Sequence, residues 1–272
     1  VYKRQLINNA TDRKYRGARQ KALATIGGAI RNITVTEGIG NAVDAEDFVE
    51  NHLRKQIQIV KTCKNNDLRS CGIETNSNAI TTLTEPKKKM TMPKKIGDLL
   101  MYFGDATDGT SQSYGFVMSN DYSINLFYNP NCLNDINQTH WGQDRVCVNA
   151  IYDMNGLARP NEAGKDIGFV TIIYPDEHVI AYAPDVYKKN SAGGAFDKTA
   201  ESCETEEKGL SVPNRDELLS MYYNTNILGI PAENYWSASE ATAAWGWHLN
   251  FPTGLLNRTT KAAGYTVRCI RR

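Results

Sequence analysis

Six cysteines and four histidines are the residues of this chain with chemistry to offer beyond packing. The histidines, His52, His140, His178 and His248, are scattered. None stands in an H-E-x-x-H or beside a G-x-S-x-G turn, the arrangements that make a zinc site or an activated serine. His248 with Ser237 or Ser239 is the one base–nucleophile pairing worth weighing. No carboxylate is placed to orient the imidazole, so an exposed contact residue is the simpler account of His248. Asp153, Asn155, Asn161 and Asp166 are oxygen donors of the kind calcium takes. The EF-hand spacing is broken, because Gly156 comes too early and Gly164 stands where the closing glutamate would be. Asx-turns explain the same residues without an ion. The expectation is no catalytic residue, no metal and no cofactor.

The cysteines read as structural. Cys63 and Cys71 lie eight residues apart, Cys132 and Cys147 fifteen apart, and Cys203 and Cys269 bracket the C-terminal region. Neither C-x-x-C nor His-rich metal spacing occurs. Six cysteines admit many connectivities, and the sequence does not choose among them, although three sequential pairs would give each region its own staple. Disulfides imply an oxidising compartment. Thirty-one Lys+Arg against thirty Asp+Glu leave a net charge of +1, which gives no electrostatic reason to expect nucleic acid or an anionic membrane surface as partner. No apolar run approaches the roughly 20 residues of a membrane helix.

The elements that must position these residues begin with a helix over 14–34, striped by Leu23, Ile26, Ile30 and Ile33 and weakened by Gly27 and Gly28. A second helix is expected from the N-cap Asp44, with Val49, Leu53, Ile57 and Val60 as its stripe, ending near Cys63. A loop-rich zone covers 72–95. Short strands follow over 114–118, 123–128, 146–152, 169–174 and 179–182, separated by turn signals such as Asp108-Gly109, Asn129-Pro130, Asn155-Gly156 and Pro175-Asp176. A helical start followed by a run of strands is an α+β pattern, a helix packed on an antiparallel sheet.

This first part resembles the periplasmic portion of type IV pilin-like (pseudopilin-like) proteins. The resemblance rests on the helix lacking an apolar start, on the helical segment ending in Cys63 and Cys71, and on Ile151-Tyr152-Asp153-Met154-Asn155-Gly156 followed by Arg159-Pro160-Asn161 and Gly164-Lys165-Asp166. It covers about residues 10–185 and implies partner pilin-like subunits through the N-terminal helix. Membrane contact would come only through an apolar helix segment that is absent from the chain.

A flexible junction is expected at 188–198. Beyond it, Asn214 is a helix N-cap with Asp216 and Glu217 in the first turn. In Trp247-His248-Leu249-Asn250-Phe251 apolar and polar residues alternate, which predicts a strand with one buried and one exposed face. Tyr265, Val267 and Cys269 alternate likewise in a terminal strand, and Thr253-Gly254 supplies a turn. Trp236 and Trp247 read as core, and Trp245 as either core or exposed anchor.

Val212-Pro213-Asn214, Glu217-Leu218, Tyr235-Trp236-Ser237-Ala238-Ser239, Trp247–Phe251 and Val267-Arg268-Cys269 are together similar to the signature of the bacterial branch of the C-type-lectin-like fold. The resemblance covers about 200–272. The paired cysteines of formylglycine-generating enzymes, and the Glu-Pro-Asn type of calcium–sugar motif, have no counterpart. The same branch holds the variable proteins of diversity-generating retroelements, in which adenine-directed mutagenesis alters exposed C-terminal positions on a fixed scaffold. The corresponding positions here are His248, Asn250, Pro252, Thr253, Leu255, Asn257, Arg258, Thr259, Thr260, Ala262, Ala263 and Tyr265. All these residue types are reachable from an asparagine codon by changing its adenines. With Trp245 they form the expected ligand-contacting set.

The expected architecture is therefore a pilin-like helix plus antiparallel sheet over 1–187 and a C-type-lectin-like ligand-binding domain over 188–272. The expected function is a non-enzymatic adhesin or receptor at the cell surface or outside the cell, taking an unknown protein or glycan ligand. The competing expectation is a minor pseudopilin of a type II secretion or type IV pilus apparatus with an assembly role.

Overall fold

The computed structural model describes residues 2–73, 113–130, 132, 146–158, 165–174 and 180–271, with side chains from 13 onward except at 188–192 and 226. Most of the loop-rich zone, the Asp108-Gly109 and Pro175-Asp176 turns, His140, His178, Val179 and 159–164 lie outside the described residues.

Helix α1 (Tyr2–Thr36) buries Ala18, Ala22, Ile26, Ala29, Ile30 and Ile33 at helical steps, while Leu23 packs at the margin. Gly27 is a point of close approach: a Cβ there would lie 2.7 Å from the Cβ of Ala181. Gly38, at φ +83°, ends the helix by donating its N–H to the Ile33 carbonyl. Asp44 caps the next turn, accepting the Asp47 N–H at 2.8 Å. That turn, α2 (Ala45–Asp47), continues as a π turn at Phe48–His52 and a 3-10 turn at Leu53–Lys55, and there it stops.

The second helix was expected to reach Val60, but Ile59–Cys63 is strand β1. Ile59 and Cys63 face inward, whereas Val60 is 58% exposed. β-branched residues at 57, 59, 60 and 62 favour the extended chain over the helix. β1 begins a six-stranded antiparallel meander, β1 to β6 in chain order. Its other strands are β2 (Tyr114–Met118), β3 (Ser123–Tyr128), β4 (Val146–Asp153), β5 (Ile167–Ile173) and β6 (Ile180–Tyr182).

The stretch expected to be a junction is mostly strand. β7 (Asp185–Gly194) pairs antiparallel with the terminal strand β12 (Tyr265–Arg271) and runs across position 187/188. Lys, Asn, Ser and Gly carry no apolar alternation there, so only the pairing reveals the strand. At Gly193 a Cβ would lie 2.8 Å from the Tyr265 carbonyl oxygen, so the two backbones meet only because that residue is glycine. The second sheet has the order β11-β10-β9-β12-β7, with β8 (Leu210–Ser211) beside β12. Its members β9 (Asn234–Thr242), β10 (Trp245–Asn250) and β11 (Leu255–Thr260) are antiparallel neighbours, while β12 lies parallel to β9. Three helices accompany it: α3 (Thr199–Glu206), α4 (Arg215–Tyr223) and α5 (Thr225–Leu228). Asn214 and Glu217 form a reciprocal capping box at the start of α4, with bonds of 2.8 and 2.7 Å.

Three apolar layers result. α1 covers one face of the first sheet through Ile26, Ile30 and Ile33 against Phe116, Ile124, Val148 and Val170. The other face, with Phe127, Ile151, Phe169 and Ile173, shares a core with Leu218, Tyr223, Tyr235, Leu249 and Ile270. Every residue of β3 and of β4 is therefore buried, the pattern of a sheet covered on both sides. The third layer joins Phe196, Trp236 and Val267 to the Cys203–Cys269 disulfide, which ties α3 to β12. Cys63–Cys71 and Cys132–Cys147 complete three sequential disulfides. They fit a protein outside the reducing cytoplasm. No helix among the described residues is long and apolar enough to cross a membrane.

Candidate ligand-contacting surface

The expected contact residues fall on the β10–β11 hairpin, its turn and the turn before β12. The hairpin register is continuous from Trp245↔Thr260 to Asn250↔Leu255, with no bulge between the two strands. Asn250 builds the turn: its Oδ1 accepts the Thr253 N–H at 3.0 Å and the Thr253 hydroxyl at 2.8 Å. Its carbonyl takes the Gly254 N–H at 2.7 Å, and Gly254 sits at φ +71°, where a side chain would be strained. The second turn is fastened at Lys261, whose N–H reaches the Ala244 carbonyl and whose carbonyl accepts from Phe196. The Lys261 ammonium pairs with Glu240 at 2.8 Å and lies 5.1 Å from the Phe196 ring centre.

Trp245, Pro252, Thr253, Asn257, Arg258, Thr260 and Ala262 are exposed. Asn250, Leu255, Thr259, Ala263 and Tyr265 are half-buried. Opposed residues of an antiparallel pair share a face, so Trp245, Thr260 and Arg258 stand together on one side and Asn257 and Thr259 on the other. Trp245 is 41% exposed, a large apolar side chain left in solvent. Lys261 and Glu240 border the same surface and were not expected there; neither belongs to a sequence motif.

His248 is a correction. The alternation placed it on the exposed face, but it is 6% exposed. Its ring lies 4.5 Å from that of Tyr265 and 6.0 Å from that of Trp236, centre to centre. Burial holds its pKa below the usual imidazole range, and its Nδ1 has no hydrogen-bond partner. The physical reason is that β10 carries core on both faces, so strict alternation there does not separate core from solvent. Trp236 is fully buried as expected. Trp247 is half-buried, with the Arg215 guanidinium 5.7 Å from its ring centre.

The serines weighed as partners of His248 are occupied locally. Ser239 Oγ accepts the Arg215 N–H at 3.1 Å, and Ser237 Oγ accepts the Ser239 N–H at 3.0 Å. The acidic turn behaves as an Asx-turn: the Asp153 carboxylate accepts from the Asn155 and Gly156 backbone. Burial is the main cause that raises the Asp153 pKa to about 7, with the Asp166 charge adding to it. Asn161 lies outside the described residues. Among those described, no group of three or more His, Cys, Asp or Glu is gathered as for a metal.

No known protein family matches this chain by sequence, and no curated protein matches it either.

Proposed function

We propose that this chain is a surface-displayed, pilin-like binding protein whose C-terminal, lectin-like sheet presents a ligand-contacting surface without chemistry. In this reading α1 serves assembly with pilin-like subunits, and the exposed positions of the β10–β11 hairpin vary over a fixed scaffold. The observation that carries it is the sorting of side chains along the hairpin. Trp245, Asn257, Arg258 and Thr260 face solvent, while Leu249 and Leu256 of the same two strands are buried, as are Trp236 and Val267 of the neighbouring β9 and β12, which pack with the Cys203–Cys269 disulfide. A rigid base under exchangeable exposed residues, one of them an exposed tryptophan, suits recognition.

A minor-pseudopilin role would instead bury this hairpin against sister subunits. Labelling distinguishes the two. With Arg258→Cys in the full-length protein on intact cells, a membrane-impermeant maleimide is expected to label position 258 as fast as it labels the isolated, folded chain. Protection on cells together with labelling in isolation would overturn the display reading and favour the assembly role.

A further inference from the structure

Helix α1 turns its apolar stripe to the first sheet and a basic face to solvent. Its residues 13–36 include six Arg and Lys and no Asp or Glu. Arg13, Lys14, Lys21 and Arg31 are exposed and enter no ion pair among the described residues, whereas Arg16 and Arg19 are held by Asp185. Along this face Gly17, Lys21, Ala24, Gly28, Arg31 and Val35 follow one another at steps of four and three, the spacing of a seam that receives another helix. Glycine weakens a helix interior, yet nothing lies within 4 Å of where a Cβ would stand at Gly17 or Gly28, so packing within the chain explains neither. Val35, 86% exposed, ends the seam with an unburied apolar side chain.

A surface of opposite sign lies on α3. That helix buries Thr199 and Cys203 and turns Glu201 and Glu204, three residues apart, to solvent. Asp197 and Glu206 are exposed beside them, and none of these four carboxylates enters an ion pair among the described residues. Glu207 pairs with Arg271, and Lys198 and Lys208 are the only basic residues of 197–208. α3 covers the face of the second sheet that carries Trp236 and Val267, turned away from the core the two sheets share. α1 covers the outer face of the first sheet. Both charged surfaces therefore point out of the molecule, and a net charge of +1 conceals two faces of opposite sign.

We infer that a second copy of this chain docks through the acidic face of α3 onto the α1 seam, setting Glu201 and Glu204 of one copy against the Arg and Lys side chains that flank the seam of the other. The small residues of the seam let the two helices approach closely, and the charges fix which faces meet. Exposed charge pairs are individually weak and screened by salt, so the contact is concentration-dependent and salt-sensitive. This names the partner for the assembly role given to α1 above and rests on that part of the reading. The test is sedimentation velocity of the intact chain at about 20 mM and at about 500 mM salt.

At low salt the chain is expected to sediment as species larger than the monomer, and at high salt as the monomer. One variant, Arg13→Glu with Lys14→Glu and Lys21→Glu, reverses the basic face; another, Glu201→Lys with Glu204→Lys and Glu206→Lys, reverses the acidic one. Each alone is expected to stay monomeric at low salt, and an equimolar mixture of the two to associate again. All six positions are exposed, so both variants are expected to melt as the unsubstituted chain does. A chain monomeric at low salt, association that survives high salt, a variant that associates alone, or a mixture that stays monomeric would overturn the inference. A low-salt monomer that binds phosphatidylglycerol vesicles would give the basic face to an anionic lipid surface instead. The hairpin takes no part in this contact, so its display is decided separately by the labelling at position 258.

Discussion

Replacing Cys203 and Cys269 together by alanine is expected to lower the unfolding free energy by about 4 kcal/mol. The two residues are 66 apart in sequence, so their bond removes a long loop's freedom from the unfolded chain. Both sulfurs are fully buried beside Trp236 and Val267, and their loss adds a packing cost to the entropic one. The matching change at Cys63 and Cys71, which close only eight residues, is expected to cost about 2 kcal/mol less. Urea denaturation of the two double variants measures both. A loss under about 1 kcal/mol at Cys203–Cys269 would show that β7 and β12 hold the C-terminal sheet without the staple.

Asn224→Ala carries the second large effect. Asn224, at the start of α5, exchanges bonds of 3.1 Å with Asn149 of β4 in both directions. It also donates to Thr171 at 3.2 Å and to the Ser220 carbonyl at 2.9 Å, and Thr171 in turn donates to Asn149 at 2.8 Å. Asn224, Asn149 and Thr171 are all fully buried between the first sheet and the helices of the second. Truncating the hub leaves Asn149 and Thr171 enclosed with fewer partners, at about 1–3 kcal/mol for each stranded group. The expected loss is about 2–4 kcal/mol. Because Phe169, Tyr223, Tyr235 and Leu249 share one core, the unsubstituted chain is expected to melt in a single transition. The variant is expected to melt earlier, with the two sheets beginning to separate. Calorimetry decides: a variant as stable as the original would mean that the network contributes nothing to the joint.

What was legible in the sequence followed local rules. The Asn214 N-cap with acids in the first turn is a local signal and is in place, and Glu217 closes it into a capping box. Strands β2 and β3 sit where β-favouring runs met turn signals. The errors came where distant partners decide. Ile59–Cys63 becomes a strand because β2 is there to pair with it, Ile59 opposite Met118 and Cys63 opposite Gly115. β7 was invisible because a polar, glycine-rich stretch gains its structure from β12 alone. His248 followed strand alternation correctly, but Trp236 and Tyr265 close over the face that alternation leaves open. Nothing in the spacing could bring Arg19 and Asp185 together, since they lie 166 residues apart.

The most direct test of a diversified surface on a fixed scaffold is to sequence the encoding locus. The account predicts a nearby reverse transcriptase gene and a near-repeat of the 3′ coding end whose mismatches fall only at adenines. Those mismatches should concentrate on exposed positions such as Asn257, Arg258, Thr260 and Ala262 and spare the codons of Trp236, Leu249, Val267 and Cys269. A locus with neither the gene nor the repeat would contradict diversification and leave a surface of fixed specificity.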